Sequence, residues 1–239
     1  EVLLEVEDLS GNGVEDINLQ IRKGEVLGLA GLIGAGRTEL AELLFGVKPK
    51  TDGRVLLNGN EIHLRLPKEA IDCGIALVPE DRKRQGVLLD VDVRGNISMS
   101  ILERISRFFT VNKKEEKRIA EHYKESIRIK TPTLEQKVKN LSGGNQQKVI
   151  VAKWLASEPT LVIFDEPTRG IDVGAKSEIY ALVNSLVESG KAVLMISSEM
   201  EEVMGMSDRI LVLRDGRIVG ELERKEFSQE TIMTLASQG

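Results

Sequence analysis

The sequence predicts an α/β fold, in which a parallel core sheet carries an N-terminal antiparallel β subdomain and an inserted α-helical subdomain. Short apolar runs alternate with helix-like segments, as they do where helices cover both faces of a parallel sheet. A glycine-rich stretch, Gly31–Thr38, directly follows one of these runs. Between about residues 93 and 157 strand signals become few, and charged, helix-prone sequence predicts the helical subdomain.

At the amino end, partial alternation of polar and apolar residues predicts short strands. The dipeptide Asn58-Gly59 favours a two-residue hairpin turn, so we expect these strands to pair antiparallel. The compact apolar run Val26–Ala30 is typical of a strand buried on both faces. The predicted antiparallel strands are Val2–Val6, Ile17–Ile21 and Arg54–Leu57.

The same reasoning predicts the rest of the core. A helix should follow the glycine-rich stretch through Phe45 and stop at Gly46. A second helix, with apolar residues on one face, should end at Gly190. The dipeptide Asp215-Gly216 predicts a hairpin turn near the carboxyl end. The strands expected in this part of the chain are Ile75–Val78, Leu161–Phe164, Ala192–Ile196, Ile210–Leu213 and Arg217–Val219.

Composition limits the classes of protein that this chain can be. Its 239 residues, 41% of them hydrophobic, suffice for one domain, which we expect to span residues 1–239. The net charge of −5 gives no overall attraction for nucleic acid, and we interpret the basic run Arg82-Lys83-Arg84 as a solvated loop. The single cysteine, Cys73, fits a reducing compartment. No apolar run approaches the ~20 residues that span a bilayer, so a membrane link needs a partner.

The stretch Gly31–Thr38 matches the phosphate-binding pattern G-x-x-x-x-G-K-[ST] except at the lysine, which is Arg37. Its backbone can form a nest of N–H donors, and the following helix points its positive end at the same anion. Thr38 would give its hydroxyl to Mg²⁺. Arginine is a wider, flatter group than lysine, so we expect phosphate binding to persist and the fit to a transition state to suffer. The alternative is an ordinary glycine-rich turn. The predicted phosphate-binding residues are Gly31, Gly34, Ala35, Gly36, Arg37 and Thr38.

Two carboxylates, Asp165 and Glu166, follow the apolar run Leu161–Phe164. A buried parallel strand delivers its last residues to the carboxyl edge of the sheet, beside the glycine-rich loop. There Asp165 can hold the Mg²⁺ shell, and Glu166 can polarise an attacking water as a general base. The alternative is a strand that simply ends in an acidic turn.

The segment Leu141–Gln147, with the sequence Leu-Ser-Gly-Gly-Asn-Gln-Gln, is called the signature segment below. Ser142 is a natural N-cap for a helix, and Gly143 and Gly144 permit a ligand to approach the backbone closely. The amino end of such a helix offers N–H donors and a positive dipole to an anion. Without a ligand the same residues would merely cap a helix.

The glycine-rich loop, the signature segment and the acidic strand end, in this order, resemble the nucleotide-binding cassette of ABC transporters. The resemblance covers essentially the whole chain and implies a P-loop NTPase-type core that binds ATP and Mg²⁺. It implies that Ser142–Gly144 and Gln146 touch the γ-phosphate of ATP held by a partner cassette. Gly170-Ile171-Asp172 matches the loop that crosses the interface between two cassettes, which assigns Asp172 to this shared site.

Four features depart from the family pattern. Arg37 replaces the loop lysine, and residues 1–44 lack the aromatic that usually stacks on adenine, so Val14 or a neighbour takes its place. After the strand Ile75–Val78 the family has a glutamine that senses Mg²⁺, and this chain has Glu80 there instead. After the strand Ala192–Ile196 the family has a histidine that contacts the γ-phosphate, and this chain has Ser198. The resemblance therefore assigns Glu80 and Ser198 to the chain's own, altered ATP site.

The altered positions belong to the site that would bind this chain's own ATP, whereas the intact positions belong to the ATP site of a neighbouring cassette. This combination resembles the second cassette of the tandem ATPases that power bacterial monosaccharide importers of the ribose, galactose, xylose and arabinose kind. The implied partners are the first ATP-binding cassette of the same polypeptide, transmembrane permease subunits and, indirectly, a periplasmic or extracellular sugar-binding protein. The implied location is peripheral, on the cytoplasmic face of the bacterial inner membrane. Because the chain enters a strand just after Glu1, we expect a fragment of a longer, two-cassette polypeptide.

Three hypotheses about function follow. In the first, the chain is an ATPase half that energises sugar import, completes a neighbour's site and hydrolyses ATP slowly when isolated. In the second, it is a structural module that binds nucleotide without hydrolysis, and Glu166 is a vestige. In the third, it is an ABC-type ATPase that acts on nucleic acid, which the acidic charge and the lack of a coiled-coil insertion or basic linker oppose.

Overall fold

The computed structural model describes residues 1–237, which form two compact units. The first comprises Glu1–Leu77, Pro159–Glu166 and the described residues from Val183 on, and the second comprises Val78–Glu158 and Pro167–Leu182. The strands and α-helices follow one another along the chain as β1 (Val2–Gly11), β2 (Val14–Arg22), β3 (Val26–Ala30), α1 (Arg37–Leu44), β4 (Asp52–Leu57), β5 (Asn60–Ile62), α2 (Pro67–Asp72), β6 (Ile75–Val78), α3 (Val93–Ser98), α4 (Leu102–Ile105), β7 (Ser106–Arg107), β8 (Thr110–Val111), α5 (Lys113–Ser126), α6 (Gly143–Leu155), β9 (Leu161–Asp165), α7 (Val173–Glu188), β10 (Ala192–Ile196), α8 (Met200–Met206), β11 (Arg209–Arg214), β12 (Arg217–Glu223) and α9 (Gln229–Ser237).

The amino-terminal part of the first unit is an antiparallel sheet with the strand order β2-β1-β4-β5. In β2 the apolar residues Ile17, Leu19 and Ile21 are buried and the residues between them are exposed. The turn between β4 and β5 has φ values of 48° at Asn58 and 78° at Gly59, as a two-residue hairpin requires. The predicted antiparallel sheet and its hairpin are therefore confirmed.

The core sheet has six strands in the order β12-β11-β3-β10-β9-β6. Strand β10 runs parallel to β3 and β9, and β11 runs parallel to β3. Every residue of β3, β9 and β10 is buried, which explains why these strands are almost continuously apolar in sequence. The predicted α/β core is confirmed. Its sheet is mixed because the hairpin at Asp215-Gly216 returns β12 antiparallel to β11.

Close packing on the core sheet positions the first unit's helices. Helix α8 passes β3 at Gly28, where an added Cβ would lie 2.8 Å from Val203 Cγ1 and would overlap Ser207 Oγ, just after the helix. Helix α9 joins a buried apolar cluster with β11 and β12. A buried ion pair, with 2.8 Å between Arg209 Nε and Glu25 Oε1, links β11 to the residue before β3. None of the helices in residues 1–237 is long and apolar enough to cross a membrane.

The second unit is mainly helical and contains α3 to α6 and the start of α7. Helix α5 forms from charged, helix-prone sequence of this region, and Asn112 caps it by accepting a hydrogen bond from Glu115 N at 3.1 Å. The sequence does not predict two elements of this second unit. One is the small hairpin of β7 and β8, and the other is a π-helix at Arg82–Gly86, where we expected a loop. The limits of the helical subdomain, about residues 93–157, stay a prediction.

Candidate functional site

The glycine-rich loop joins the carboxyl end of β3 to the start of α1. Gly36 precedes α1 with φ of 104°, a conformation that favours glycine, and an added Cβ would lie 2.8 Å from Val14 Cγ1. Val14 is therefore buried beneath the loop and presents no surface on which a base could stack. The carbonyl of Ala35 accepts a hydrogen bond from Gly216 N at 3.0 Å. Val14 and Gly216 thus pack against the inner side of the loop, and residues 32–34 on its outer side are exposed.

A second steric limit fixes the start of the loop. A Cβ added to Gly31 would lie 2.5 Å from Leu213 O, on β11, so a side chain would push the loop away from the sheet. The exposed rim includes Gly34, where nothing lies within 4 Å of an added Cβ. The predicted residues Gly31 to Thr38 are thus brought together as one loop with an open outer side.

Arg37, in the lysine position of the loop pattern, is the first residue of α1 and is 9% exposed. Its Nη1 donates a hydrogen bond to Ser197 O at 2.6 Å, just after β10. The guanidinium therefore ties the start of α1 to the end of the neighbouring strand. This partner is a neutral carbonyl and brings no negative charge to offset that of the guanidinium. The group can therefore still attract an anion.

Asp165, the last residue of β9, is 2% exposed. Burial raises the pKa of its carboxyl group to about 6, and a hydrogen bond with Thr38 opposes that rise. Its Oδ1 atom is buried and has no hydrogen-bond partner within residues 1–237. A buried carboxylate oxygen without a donor, beside a hydroxyl and a phosphate-type loop, fits the small number of protein ligands that Mg²⁺ takes when it also binds a nucleotide. In the described part of the chain no three His, Cys, Asp or Glu side chains form a metal-binding group.

Glu166 and Ser198, the two predicted catalytic residues, meet in the first unit. Ser198 Oγ donates a hydrogen bond to Glu166 Oε2 at 3.0 Å. Glu166 has φ of 50°, and its N–H donates to Ile196 O at 2.9 Å. A left-handed backbone costs a residue with a side chain roughly 1–2 kcal/mol, and here it turns Glu166 out of the strand direction. The residue at the histidine position therefore contacts the predicted general base.

The signature segment begins α6 in the second unit, as the sequence predicts. Ser142 Oγ accepts hydrogen bonds from Asn145 N at 3.4 Å and Asn145 Nδ2 at 2.9 Å. A Cβ added to Gly144 would lie 2.5 Å from Ala175 Cβ, so α6 and the start of α7 approach closely there. Asp172 caps α7 by accepting a hydrogen bond from Ala175 N at 3.0 Å. The signature segment and Asp172 therefore lie at two neighbouring helix starts.

Two further predicted ligand residues have protein partners. Gln146 is 6% exposed, and its Nε2 donates to Val138 O at 3.2 Å and to Leu141 O at 3.3 Å. Glu80 forms an ion pair with Arg169. These contacts hold the segments before α6 and before the π-helix. Contact of Gln146 or Glu80 with a nucleotide stays a prediction.

Two charged residues, Arg82 and Lys148, pack in the second unit without any signal in the sequence. We interpreted Arg82 as part of a solvated loop, but it is half-buried, and a Cβ added to Gly143 would lie 3.2 Å from its Nη2. Lys148 is 3% exposed, donates to Arg128 O at 3.0 Å and pairs with Glu178 on α7. No spacing pattern relates residues so far apart in the chain, so only the tertiary structure reveals these contacts.

Buried parallel strands at the centre of the core sheet, a phosphate-type loop between β3 and α1, and an acid at the end of β9 define a nucleotide-binding domain of the P-loop class. The family model described as "ABC transporter" matches residues 14–169. This chain belongs to the ABC transporter family, as an ATP-binding cassette.

Curated relatives are similar over almost the whole chain. The ribose import ATP-binding protein RbsA of Clostridium perfringens (strain SM101 / Type A) is 52% identical over 238 residues, which cover 99% of this chain and 48% of that protein. The xylose import ATP-binding protein XylG of Thermoanaerobacter pseudethanolicus is 52% identical over 227 residues, 95% of this chain and 45% of that protein. The chain spans about half the length of the curated relatives it matches.

Solved structures agree with the fold. A nucleotide-free ATP-binding cassette from an ABC transporter aligns with a TM-score of 0.83 at 21% identity, over 100% of this chain and 96% of that one. A dimeric ATP-binding cassette in a post-hydrolysis state, bound to ADP and phosphate, aligns with a TM-score of 0.79 at 20% identity, over 94% and 100%. The predicted ABC ATPase fold is confirmed.

Proposed function

We propose that this chain is an ATP-binding half of a bacterial sugar importer, with a weakened ATP site of its own and a signature segment that completes a partner's site. The ribose and xylose import relatives support the substrate class. One observation supports the weakened site. Arg37 stands at the lysine position of the family pattern and binds Ser197 O, and Ser198 stands at the histidine position and binds Glu166. In the family pattern the lysine and the histidine contact phosphate.

At the chain's own site, the loop N–H groups and the amino end of α1 would bind the phosphates. Thr38 and Asp165 would hold Mg²⁺, which neutralises charge on the β- and γ-phosphates when bound. Glu166 would orient a water with its second carboxylate oxygen, while Ser198 Oγ donates to Oε2. Because a serine hydroxyl carries no positive charge and reaches less far than an imidazole, we expect slow hydrolysis here.

In the second unit, Ser142, Gly143, Gly144 and Asp172 would complete a site whose ATP is held by the first cassette of the same polypeptide. The capped start of α6 supplies N–H donors and a positive dipole for the γ-phosphate. Closure of the two cassettes on ATP would pull on transmembrane permease subunits, and hydrolysis would let them reopen. An external sugar-binding protein would deliver the cargo, with this chain on the cytoplasmic face of the inner membrane.

A turnover assay on the isolated chain tests the weakened site. We expect slow or undetectable ATP hydrolysis in the wild type, with Glu166→Gln lowering any remaining rate. Glu201→Gln, an exposed acid on α8, is the matched control and should leave that rate unchanged. Brisk wild-type turnover that Glu166→Gln abolishes would refute the weakened site.

The second candidate, a non-hydrolysing nucleotide-binding module, is favoured by the same two protein contacts of Arg37 and Ser198. Calorimetry with ATP and ADP in the presence of Mg²⁺ separates binding from turnover. Arg37→Lys combined with Ser198→His should raise turnover if local damage limits the site. Binding that persists with no gain in rate would instead favour the structural module.

A further inference from the structure

The turn of the small β7–β8 hairpin, in the second unit, consists of two phenylalanines that the folded chain leaves uncovered. Phe108 is 85% exposed, and Phe109 is fully exposed. Aromatic side chains gain much apolar burial when they pack, and two of them side by side in water forgo that gain. Adjacent exposed apolar side chains indicate a surface that contacts something outside the chain.

The backbone of this turn is unfavourable for the two residues that form it. Phe108 has φ of 47° and Phe109 has φ of 62°, and a two-residue turn with two positive φ values prefers asparagine and glycine. Bulky side chains rarely adopt this left-handed conformation, because of steric crowding. Asn112 N donates a hydrogen bond to Ile105 O at 2.8 Å and closes the base of the hairpin. Neither packing nor turn geometry within the second unit therefore favours phenylalanine at the tip.

The segment around the tip is basic, although the chain as a whole is acidic. Residues 102–118 contain six Lys or Arg and three Glu, a net charge of +3, whereas the whole chain carries −5. Arg107 Cζ lies 5.4 Å from the centroid of the Phe108 ring, so a cation stands beside the apolar tip. Lys114, in the first turn of α5, is exposed as well. A surface of negative charge would therefore attract this part of the chain.

The acids of the same segment lie outside the hairpin. Glu116 is buried, and Glu115 pairs with Arg118 at 2.6 Å on α5. Glu103 belongs to α4, which precedes the hairpin. Residues 106–112, which form the hairpin, contain one charged side chain, and it is basic. The tip thus combines two exposed rings with positive charge.

We propose that the β7–β8 hairpin contacts an anionic membrane surface, with Phe108 and Phe109 inserted into the headgroup layer and with Arg107 and Lys114 attracted to the anionic headgroups. Apolar side chains enter the boundary between headgroups and acyl chains, and nearby Lys or Arg strengthen binding to anionic lipid. Because both rings already stand in solvent at a turn, they can enter that layer without rearrangement of the chain. This contact goes beyond the proposed function and depends on neither ATP site.

Co-sedimentation of the chain with lipid vesicles tests this contact. The wild type should sediment with vesicles of phosphatidylglycerol and phosphatidylcholine in equal parts, and much less with phosphatidylcholine alone. Phe108→Asn combined with Phe109→Gly removes both rings and gives the turn its favoured dipeptide. This double variant should bind the anionic vesicles at least tenfold more weakly, because two apolar side chains no longer leave water. Its urea unfolding midpoint should equal or exceed that of the wild type, which separates lost binding from lost folding.

Two pairs of variants separate the tip from the rest of the surface. Lys114→Gln should weaken binding to the anionic vesicles about fivefold, whereas Lys225→Gln, an exposed lysine of the first unit, should change it less than twofold. Leu66→Ser is the control for loss of an exposed apolar side chain, since Leu66 is 61% exposed in the first unit. Its effect should also stay within twofold.

A wild type that binds no anionic vesicles overturns the proposal. Vesicle binding that persists within twofold in the folded double variant of Phe108 and Phe109 overturns it too. Loss of that variant from the assembled transporter with no change in vesicle binding would assign the tip to a permease subunit instead, and the membrane contact would fail.

Discussion

At the scale of single residues, Arg37 and Ser198 bind protein atoms at positions where the family's usual residues bind phosphate. Arg37 must share or exchange its hydrogen bond to Ser197 O when an anion enters the loop. A hydrogen bond to a charged group contributes about 1.5–3 kcal/mol, so part of the gain from phosphate is lost in releasing this contact. We therefore expect weak nucleotide binding to result from this exchange rather than from missing charge.

Lys153 gives a pH-dependent prediction at the same scale. It is 6% exposed, and burial lowers the pKa of its ammonium to about 8, although Nζ donates to Gly86 O and lies 4.6 Å from the Trp154 ring centroid. The unfolded chain, with the ordinary lysine pKa of 10.5, binds more protons between pH 8 and 10.5. The contribution of Lys153 to the free energy of unfolding therefore rises with pH across that window. Below pH 8 the ammonium is charged in both states, and the destabilisation from burying its charge has its full size.

Replacing Lys153 with methionine removes this penalty. We expect the free energy of unfolding of Lys153→Met, relative to wild type, to be most favourable at pH 7 and to decline toward pH 10. Urea unfolding at several pH values measures the difference. Lys114→Met, at an exposed position on α5, should show no such trend. A pH-independent difference for Lys153→Met would contradict the prediction.

At the scale of elements, the signature segment depends on the fit between α6 and α7. Gly144 approaches Ala175 closely, and the buried Lys148 pairs with Glu178 one turn further along α7. The glycines of the signature segment thus have a packing role beside any ligand role. A substitution at Gly144 should therefore disturb the packing of α6 against α7 even when no ligand is bound.

Gly144→Ala should destabilise the chain by about 1–3 kcal/mol, the usual cost of overpacking, because its Cβ would lie 2.5 Å from Ala175 Cβ. Ala175→Gly opens the same space and should cost about 1 kcal/mol alone through helix propensity. The double variant should be more stable than the sum of the two losses predicts. Urea unfolding of all four proteins completes the cycle, and strictly additive losses would contradict the close contact.

Most elements could be predicted because their signals are local. Buried strands β3, β9 and β10 are apolar runs, and the Asn58-Gly59 and Asp215-Gly216 turns are favoured dipeptides. The β7–β8 hairpin was missed because its turn residues, Phe108 and Phe109, have positive φ values of 47° and 62° that such side chains rarely adopt. The π-helix was missed because its short, charged sequence has no apolar period.

At the scale of the whole molecule, the nucleotide-binding hypotheses and the nucleic-acid hypothesis differ in which ligand should stabilise the folded chain. The chain carries a net charge of −5, which repels nucleic acid, whereas the glycine-rich loop presents N–H donors to a phosphate group. A ligand that binds only the folded state raises stability by about 2.7 kcal/mol at a concentration 100 times its Kd. For a chain of this size each kcal/mol moves the Tm by about 2–4 °C.

We expect millimolar Mg-ATP to raise the Tm by a few degrees and single-stranded DNA or RNA to leave it unchanged. Removing Mg²⁺ with a chelator should reduce the rise, because Asp165 would then face the phosphates without a cation. Thr38→Ala should reduce it as well. Differential scanning calorimetry measures each case. A rise with nucleic acid would favour the third hypothesis, and no rise with Mg-ATP would contradict nucleotide binding at the glycine-rich loop.

The sequence by itself determined the α/β class, the phosphate-type loop, the acidic end of β9 and the capped start of α6, because each depends on neighbours within a few residues. Only the tertiary structure decided that Arg37 reaches Ser197, that Ser198 donates to Glu166, and that Arg82 lies against Gly143. Those contacts join residues from different strands and helices. Their distances are set by how the sheet and the helices pack, which no spacing along the chain encodes.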